Sequence, residues 1–165
     1  MQPTNRGILI LLLAAPILAA GTWLPLMQWV ALVYLVLVCL LIWLDWKTAE
    51  SIEKRFDIHR QHDQKLSLGA DNPIKITVRN RSQTPATVWL RDEPPDAFNI
   101  SDRLLHSKIQ ARRTWEAIYY VHPLRRGDYQ FGNLNLRWQG PLGLAIRQGK
   151  LPLTEPVKAY PTLLA

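Results

Sequence analysis

The chain has 165 residues, of which 48% are hydrophobic and 20% charged, with one cysteine and a formal net charge of +7. A single cysteine excludes an intrachain disulfide framework and every multi-cysteine zinc or iron–sulfur site. The charge is unevenly distributed, because residues 8–44 contain no Asp, Glu, Lys, Arg or His, whereas residues 45–165 carry 19 basic and 13 acidic residues. The sequence therefore joins a membrane-like segment to a polar domain.

The uncharged stretch has 37 residues, whereas one helix crosses the roughly 30 Å bilayer core with about 20 residues. Gly21 and Pro25 interrupt the stretch near its middle, where glycine ends one helix and proline begins the next. We predict a two-helix transmembrane hairpin over residues 1–46, with helices at about 8–22 and 26–44. Pro16 falls inside the first helix, a position that membrane helices tolerate. A cleaved signal peptide is the alternative interpretation of the first helix.

Tryptophan favours the membrane–water interface. The candidate membrane-interface anchors are Trp23, Trp29, Trp43 and Trp46. Basic residues follow the second helix, and none lies in the turn between the helices. The positive-inside rule then predicts a multi-pass protein with both termini and the polar domain in the cytoplasm. The charge bias is modest, because Asp45, Glu50 and Glu53 are interleaved with the basic residues.

Residues 47–62 alternate acidic and basic side chains, and we interpret them as a juxtamembrane segment. Beyond them the hydrophobic period changes from helical to two. Apolar and polar residues alternate over 74–79 and again over 115–121. Short strands separated by turn residues predict an immunoglobulin-like β-sandwich over residues 63–165. The predicted fold class is thus a membrane-anchored all-β protein with an N-terminal two-helix hairpin.

One predicted strand contains Tyr129 to Trp138 and changes its apolar face at Gly132 and Asn133, which predicts a β-bulge there. Trp138 and Trp115 are expected in the core. Leu90 and Val88 are expected to face inward, and Trp89 outward.

No phosphate-binding glycine loop, HExxH or GxSxG motif occurs. His59 and His62 have the spacing of a helical metal pair, but no nearby ligand completes a site. We therefore predict no enzymatic activity, no catalytic residue, no metal site and no cofactor.

An exposed tryptophan beside basic residues would form a partner surface. The candidate interaction residues are Trp89, Arg91, Arg112, Arg113, Arg125 and Arg126. Attraction to anionic lipids and a solvated surface without a ligand account for the basic balance equally well, and both do so better than nucleic-acid binding, which is not expected. The lipid bilayer is accordingly the first expected partner.

The chain resembles the N-terminal part of the bacterial domain of unknown function 58 (DUF58) family. The resemblance rests on an ordered set of motifs after a membrane hairpin: LSLG at 66–69, IKITVRNRS at 74–82, RRGDYQFG at 125–132, PLGL at 141–144 and AYP at 159–161. Two positions depart from the family pattern. Gly140 stands where the family usually has Asp, and Ala145 stands where it has an aromatic residue.

The resemblance implies a bacterial inner-membrane protein whose sandwich is a protein-interaction or scaffold module. The resemblance also implies a partnership with MoxR-type AAA+ ATPases. Family members usually continue into a von Willebrand factor A-like domain, which is missing here. Such an ATPase and separate von Willebrand factor A-like proteins are the implied partners. Two alternatives stay open: an extracytoplasmic membrane-anchored module that binds envelope polymers or peptides, and a truncated family member without its effector domain.

Overall fold

The computed structural model describes residues 2–161, apart from the side chain of Pro25, and these residues form two compact units. Unit 1 contains the described residues up to Glu50 together with residues 138–147. Unit 2 contains residues 51–137 and the described residues from Gln148 onward. Residues 162–165 of the expected sandwich lie outside the described part of the chain.

Unit 1 consists of three helices and a short strand. They are β1 (Gln2–Pro3), α1 (Asn5–Leu12), α2 (Ala14–Ala20) and α3 (Pro25–Thr48). Thr4 begins α1 because its side-chain oxygen accepts a hydrogen bond from the Gly7 backbone N–H at 3.1 Å. Proline occupies the first turn of α3, where backbone N–H groups have no partner within the helix, so its missing N–H costs no hydrogen bond.

The predicted first helix is divided at Leu13, and Pro16 explains the division. A proline ring collides with the carbonyl four residues earlier and cannot donate to it. The carbonyl four residues before Pro16 belongs to Leu12, where α1 ends. Pro16 itself lies inside α2, as predicted, and the interruption of the predicted first helix falls at Leu13.

The second predicted span, about 26–44, lies within α3, which continues beyond it to Thr48. Its segment Leu26–Thr48 is long and apolar enough to cross a membrane, a test that the hydrophobic segment of a signal sequence near the N-terminus also passes. The side chains of this helix are mostly exposed, including Val33, Val36 and Leu37 at 52–62%.

The N-terminal helices run back along α3. The Tyr34 hydroxyl donates to the Ile10 carbonyl at 2.7 Å, and the Gln28 side-chain amide donates to the Gly21 carbonyl at 3.4 Å. Residue 10 thus pairs with residue 34 and residue 21 with residue 28, which is the pattern of antiparallel neighbours.

Unit 2 is a β-sandwich that starts with the short helix α4 (Ile52–Arg55). Its strands are β2 (Phe56–Gln61), β3 (Lys65–Ser67), β4 (Asn72–Asn80), β5 (Ala86–Asp92), β6 (Phe98–Ile100), β7 (Leu105–Ile109), β8 (Thr114–Pro123), β9 (Gly127–Phe131), β10 (Leu134–Gln139), β11 (Ala145–Leu151) and β12 (Glu155–Tyr160). The last residues of β10 and the first of β11 belong to unit 1.

Three sheets organise these strands. One has the order β2-β4-β8-β6, a second contains β11-β10-β5-β7, and a third has the order β3-β12-β9. Within unit 1, β1 adds to β11 through the pairs Gln2 with Ile146 and Pro3 with Ala145. The inward residues of β4 and β5 are fully buried, which confirms the period-two prediction for both strands.

The expected bulge at Gly132 and Asn133 is wrong, because β9 and β10 are two strands in different sheets. The apolar face changes there because the chain leaves the sheet of β9 and enters the sheet of β10. The Gly132 N–H donates to the Glu93 carbonyl at 2.7 Å and fixes the crossing.

The boundaries of the juxtamembrane segment also differ from expectation. Strand β2 lies inside the 47–62 range and pairs antiparallel with β4 along its whole length, from Phe56 opposite Asn80 to Gln61 opposite Lys75. The sandwich therefore begins before residue 63.

Candidate functional site: a basic aromatic face, a buried ionic cluster and a capped turn

The candidate interaction residues do not form one surface. Trp89 and Arg91 lie in β5, Arg112 and Arg113 precede β8, and Arg125 follows it. Strand β8 has ten residues and rises about 3.3 Å per residue. The two arginine pairs therefore lie at opposite ends of a strand roughly 30 Å long, and Arg126 belongs with Arg125.

Trp89 and Arg91 nevertheless belong to a local basic surface. Val88 and Leu90 are fully buried, so Trp89 and Arg91 point to the other face of the sheet. Strand β7 adds exposed His106 opposite Trp89 and exposed Lys108 opposite Thr87. We call the outward residues Thr87, Trp89, Arg91, His106 and Lys108 the β5–β7 face.

The other arginines lie in turns. Arg112 is exposed and adopts a left-handed backbone conformation with φ of 59°. Exposed Arg113 offers its carbonyl to the Asn80 N–H at 2.9 Å. Arg125 borders an open depression of about 280 Å³ that is also lined by Asp96, Ala97, Asn99 and Leu124.

A buried ionic cluster connects two sheets of the sandwich, the one that contains β2 and β8 and the one that contains β5. Arg60 of β2 makes a bidentate pair with Asp92 at the end of β5, and one of the two bonds, from Nε to Oδ2, is 3.0 Å long. The two side chains are 0% and 4% exposed. The Tyr119 hydroxyl of β8 donates to Asp92 Oδ2 at 2.6 Å. Arg60 also donates to the carbonyls of Leu153 and Gly132, so the charge is compensated and most of its donors are used.

The cluster keeps Tyr119 protonated. Burial raises the pKa of the Tyr119 hydroxyl far above its ordinary value, and the negative charge of Asp92 raises it further. The guanidinium of Arg60 also lies 5.0 Å from the centre of the Phe131 ring. The polar groups of Arg60, Asp92 and Tyr119 therefore bind one another, and they connect strands β2, β5 and β8.

Glu93 anchors the crossing from β9 to β10. Its carboxylate accepts hydrogen bonds from the Asn135 side chain at 2.7 Å and from the Asn133 backbone at 3.1 Å. The bond from Asn135 is the main reason that the pKa of Glu93 is lowered, although burial opposes the shift. A Cβ on Gly132 would lie 2.9 Å from the Glu93 Cβ, so glycine is required at the crossing.

The two histidines considered as a metal pair have separate partners. His59 lies in β2 and contacts Asp57 at 3.1 Å, whereas His62 contacts Glu155 at 3.1 Å and packs on Phe131. Within the described residues, no group of three or more His, Cys, Asp or Glu is arranged to hold a metal ion.

In unit 1, Asp45 caps a turn at residues 140–145. Its carboxylate is buried and accepts three backbone hydrogen bonds, from Leu142 at 2.6 Å, Leu144 at 2.8 Å and Ala145 at 2.9 Å. A Cβ on Gly140 would lie 2.5 Å from the carboxyl carbon of Asp45. The side chain that the resembled family carries at position 140 therefore has no room here.

The four tryptophans predicted as membrane-interface anchors differ in surroundings. Trp23, Trp29 and Trp43 are 88%, 69% and 43% exposed. Trp46 is half-buried, and the Arg147 guanidinium lies 5.2 Å from its ring centre. Lys47 lies 4.8 Å from the Trp43 ring.

Sequence reasoning missed most of these arrangements. Asp45 could have been noticed as the first charged residue after the uncharged stretch, but its partners lie about 100 positions later. His106 and Lys108 were missed because β7 was not predicted. Arg60 was missed as a core residue because a buried arginine interrupts the apolar alternation of β2.

The sandwich resembles several solved structures, whereas no protein-family model and no curated protein matches the chain. The PapD-like domain 7 of human CEP192 has 11% identity and a TM-score of 0.42, over 66% of this chain and 88% of that one. The CARDB domain of a Pyrococcus furiosus protein, in complex with di-metal ions, has 10% identity and a TM-score of 0.43, over 65% and 90%. The Caenorhabditis elegans MSP-domain-like protein SSP-19 has 9% identity and a TM-score of 0.37, over 56% and 90%. Similarities of this size assign the chain to no family.

Proposed function

We propose that this chain is a non-enzymatic membrane protein whose helices anchor a cytoplasmic β-sandwich, and that the sandwich is a protein-interaction module. The apolar surface of α3 is the observation that carries the proposal. Trp29, Val36 and Leu37 expose 52–69% of their surface on a helix of 24 residues. Contact of such an apolar surface with lipid is favourable, whereas its contact with water is unfavourable.

The antiparallel course of unit 1 supports two crossings rather than one. Residues 5–20 form 16 residues of helix interrupted at Leu13, about 24 Å long at 1.5 Å per residue against the roughly 30 Å of the bilayer core. The Thr4 N–H donates to the Leu144 carbonyl at 2.8 Å, and Asp45 accepts from the Leu144 N–H. The start of α1 and the end of α3 thus meet at one residue, which favours both ends on one membrane face.

The charge distribution favours the cytoplasmic face. Arg6 lies in the first turn of α1, Lys47 lies in the last turn of α3 and Lys54 follows α3, whereas the turn between α2 and α3 is uncharged. Positive charge near helix ends stays on the cytoplasmic side.

The interior of the sandwich supports a non-enzymatic role. Its strongest polar cluster, Arg60 with Asp92 and Tyr119, is buried and internally paired, so it offers no reacting group to a substrate. The β5–β7 face places the half-buried ring of Trp89 beside the exposed cations Arg91 and Lys108. Such a face fits an acidic protein surface.

The partner follows from the resemblance to DUF58. We propose a MoxR-type AAA+ ATPase, together with von Willebrand factor A-like proteins, in the bacterial inner membrane. A membrane anchor would raise the effective concentration of the module toward other membrane-bound proteins.

Cysteine labelling tests the topology. In a Cys39→Ser background, single cysteines replace Thr22 between α2 and α3 or Gln83 in the loop before β5, both of which are exposed. A membrane-impermeant maleimide is applied to intact and to lysed cells. We expect labelling of residue 22 in intact cells and of residue 83 only after lysis.

The reverse pattern, with residue 83 labelled in intact cells and residue 22 protected, would refute the proposal. It would favour the extracytoplasmic module that binds envelope polymers or peptides. Labelling of both residues in intact cells would mean that α3 does not separate them, and it would refute the anchor.

Binding tests the interaction module. The full chain in nanodiscs is titrated with a purified MoxR-type ATPase from the same cell. We expect Trp89→Ala and Arg91→Ala each to weaken binding several-fold, as truncation of aromatic and arginine contacts does at interfaces. Ile118→Ala, which removes an exposed side chain from β8 in a different sheet, is the control. Equal affinity for all variants would exclude this face as the contact.

A further inference from the structure

We propose that residues 140–145 form a lipid-embedded turn, in which Pro141 and Leu142 contact the acyl chains at the membrane face where α3 ends. This inference rests on the proposed membrane anchor and adds a third membrane-contacting element to it. Both residues are exposed, Leu142 by 57%. An apolar pair at the tip of a turn is ill-suited to water and well-suited to lipid.

The position of the turn along α3 provides the first argument. Ala145 belongs to a buried cluster with Val38 and Ile42, and Leu144 packs against the same cluster. Asp45 is the first charged residue of α3, and Val38 precedes it by seven residues, about 10 Å along the helix axis. If the hydrocarbon region ends near Asp45, the contacts of Ala145 lie inside it.

The backbone hydrogen bonds provide the second argument. In hydrocarbon, every backbone N–H needs a partner within the protein. Leu142, Leu144 and Ala145 donate to Asp45. Gly140 donates to the Ala145 carbonyl at 2.9 Å, and Gly143 donates to the Gly140 carbonyl at 3.0 Å.

Pro141 has no N–H, so the turn has no unpaired backbone donor. Thr4 also covers two carbonyls, since its hydroxyl donates to Gly143 at 2.7 Å and its N–H to Leu144. A turn on a water-exposed surface has no need of such complete pairing, because water supplies the missing partners.

The charge pattern provides the third argument. No charged residue lies between Arg137 and Arg147. Arg147 packs over Trp46 and donates a hydrogen bond to the Ala49 carbonyl. A cation beside a tryptophan marks the interface, and the uncharged residues before it fit the region on the lipid side.

The test measures quenching of a fluorescent label by lipid. Single cysteines replace Leu142, Leu37 or Leu104 in the Cys39→Ser full chain and carry a bimane label. The protein is reconstituted in phosphatidylcholine–phosphatidylglycerol vesicles with or without doxyl-labelled phosphatidylcholine. Leu104 is exposed by 57%, like Leu142, but lies in unit 2, and Leu37 lies within α3.

We expect the doxyl lipid to quench the labels at 142 and 37 several-fold more than the label at 104. Quenching at 37 but not at 142 would overturn the embedded turn and leave the anchor intact. Absence of quenching at both positions would overturn both proposals. Equal quenching at 104 and 142 would overturn the specific role of the turn, because any exposed site would then contact lipid.

Discussion

Replacing Asp92 by asparagine should strongly destabilise the β-sandwich. The substitution keeps the shape of the side chain but removes the charge that compensates Arg60 in a site where both side chains are at most 4% exposed. An unpaired buried charge costs about 3–5 kcal/mol. Typical domains have only about 5–15 kcal/mol of stability, so the loss is a large share. Tyr119 also loses the charged acceptor of its 2.6 Å hydrogen bond.

The free energy of unfolding is measured on the full chain in detergent micelles, by urea denaturation with pulse proteolysis of the unfolded fraction. Asp57→Asn is the matched control, because Asp57 also pairs with an arginine, Arg81, at 3.1 Å, but the two side chains are 33% and 49% exposed. Exposed pairs contribute about 0–1 kcal/mol. Equal losses for the two variants would refute the reasoning that burial makes the Arg60–Asp92 pair costly to break.

Further variants of the cluster test the same reasoning if Asp92→Asn does not fold. Tyr119→Phe retains the ion pair and should lose about 1.5–3 kcal/mol, as expected for a hydrogen bond to a charged group. Arg60→Met should cost less in the Asp92→Asn background than in the native chain, because the charge that it removes is already uncompensated there. Additive losses would contradict the coupling.

Three further outcomes follow from the same geometry. Because hydrogen bonds lower the pKa of Glu93 below its ordinary 4.5, its stabilisation is complete above 4.5 and is lost as the pH falls through the lowered pKa. Glu93→Gln should therefore reduce the urea midpoint at neutral pH and converge with the native chain in acid; a constant gap would contradict this. Gly140→Ala should cost about 1–3 kcal/mol, because its Cβ would overlap Asp45, and thermolysin should then cut the turn faster. Pro16→Ala should join α1 and α2, because the new N–H at residue 16 can donate to the Leu12 carbonyl, and amide exchange at residue 16 should be slow; fast exchange there would exclude the proline as the cause of the break.

The strands that could be predicted are those whose inward residues are all apolar. Strand β4 has Ile74, Ile76 and Val78 on its buried face, so its period of two is visible in the sequence. Strand β2 has the same geometry, with Phe56, Ile58 and Arg60 inward, but the buried arginine makes the segment resemble a charged linker. A local pattern cannot show that a charge 32 positions later compensates Arg60.

The candidate surfaces were predictable only in part for the same reason. The outward position of Trp89 and Arg91 follows from the alternation of β5 alone. Their neighbours His106 and Lys108 depend on the pairing of β5 with β7, which the register of two strands decides. Arginine pairs that look equivalent in sequence are placed at opposite ends of β8, because a ten-residue strand separates them.

Asp45 shows why a carboxylate at the end of an apolar helix requires the turn that it caps. A negative charge near a helix C-terminus is repelled by the unpaired carbonyls, and apolar surroundings raise its energy further. Three backbone N–H groups of residues 142–145 offset both effects. The dependence is mutual, because those N–H groups would otherwise have no acceptor in an apolar setting. Glycine at 140 leaves space for the carboxylate, and proline at 141 removes the one remaining donor, so each backbone N–H that residues 140–145 retain has an acceptor within the protein.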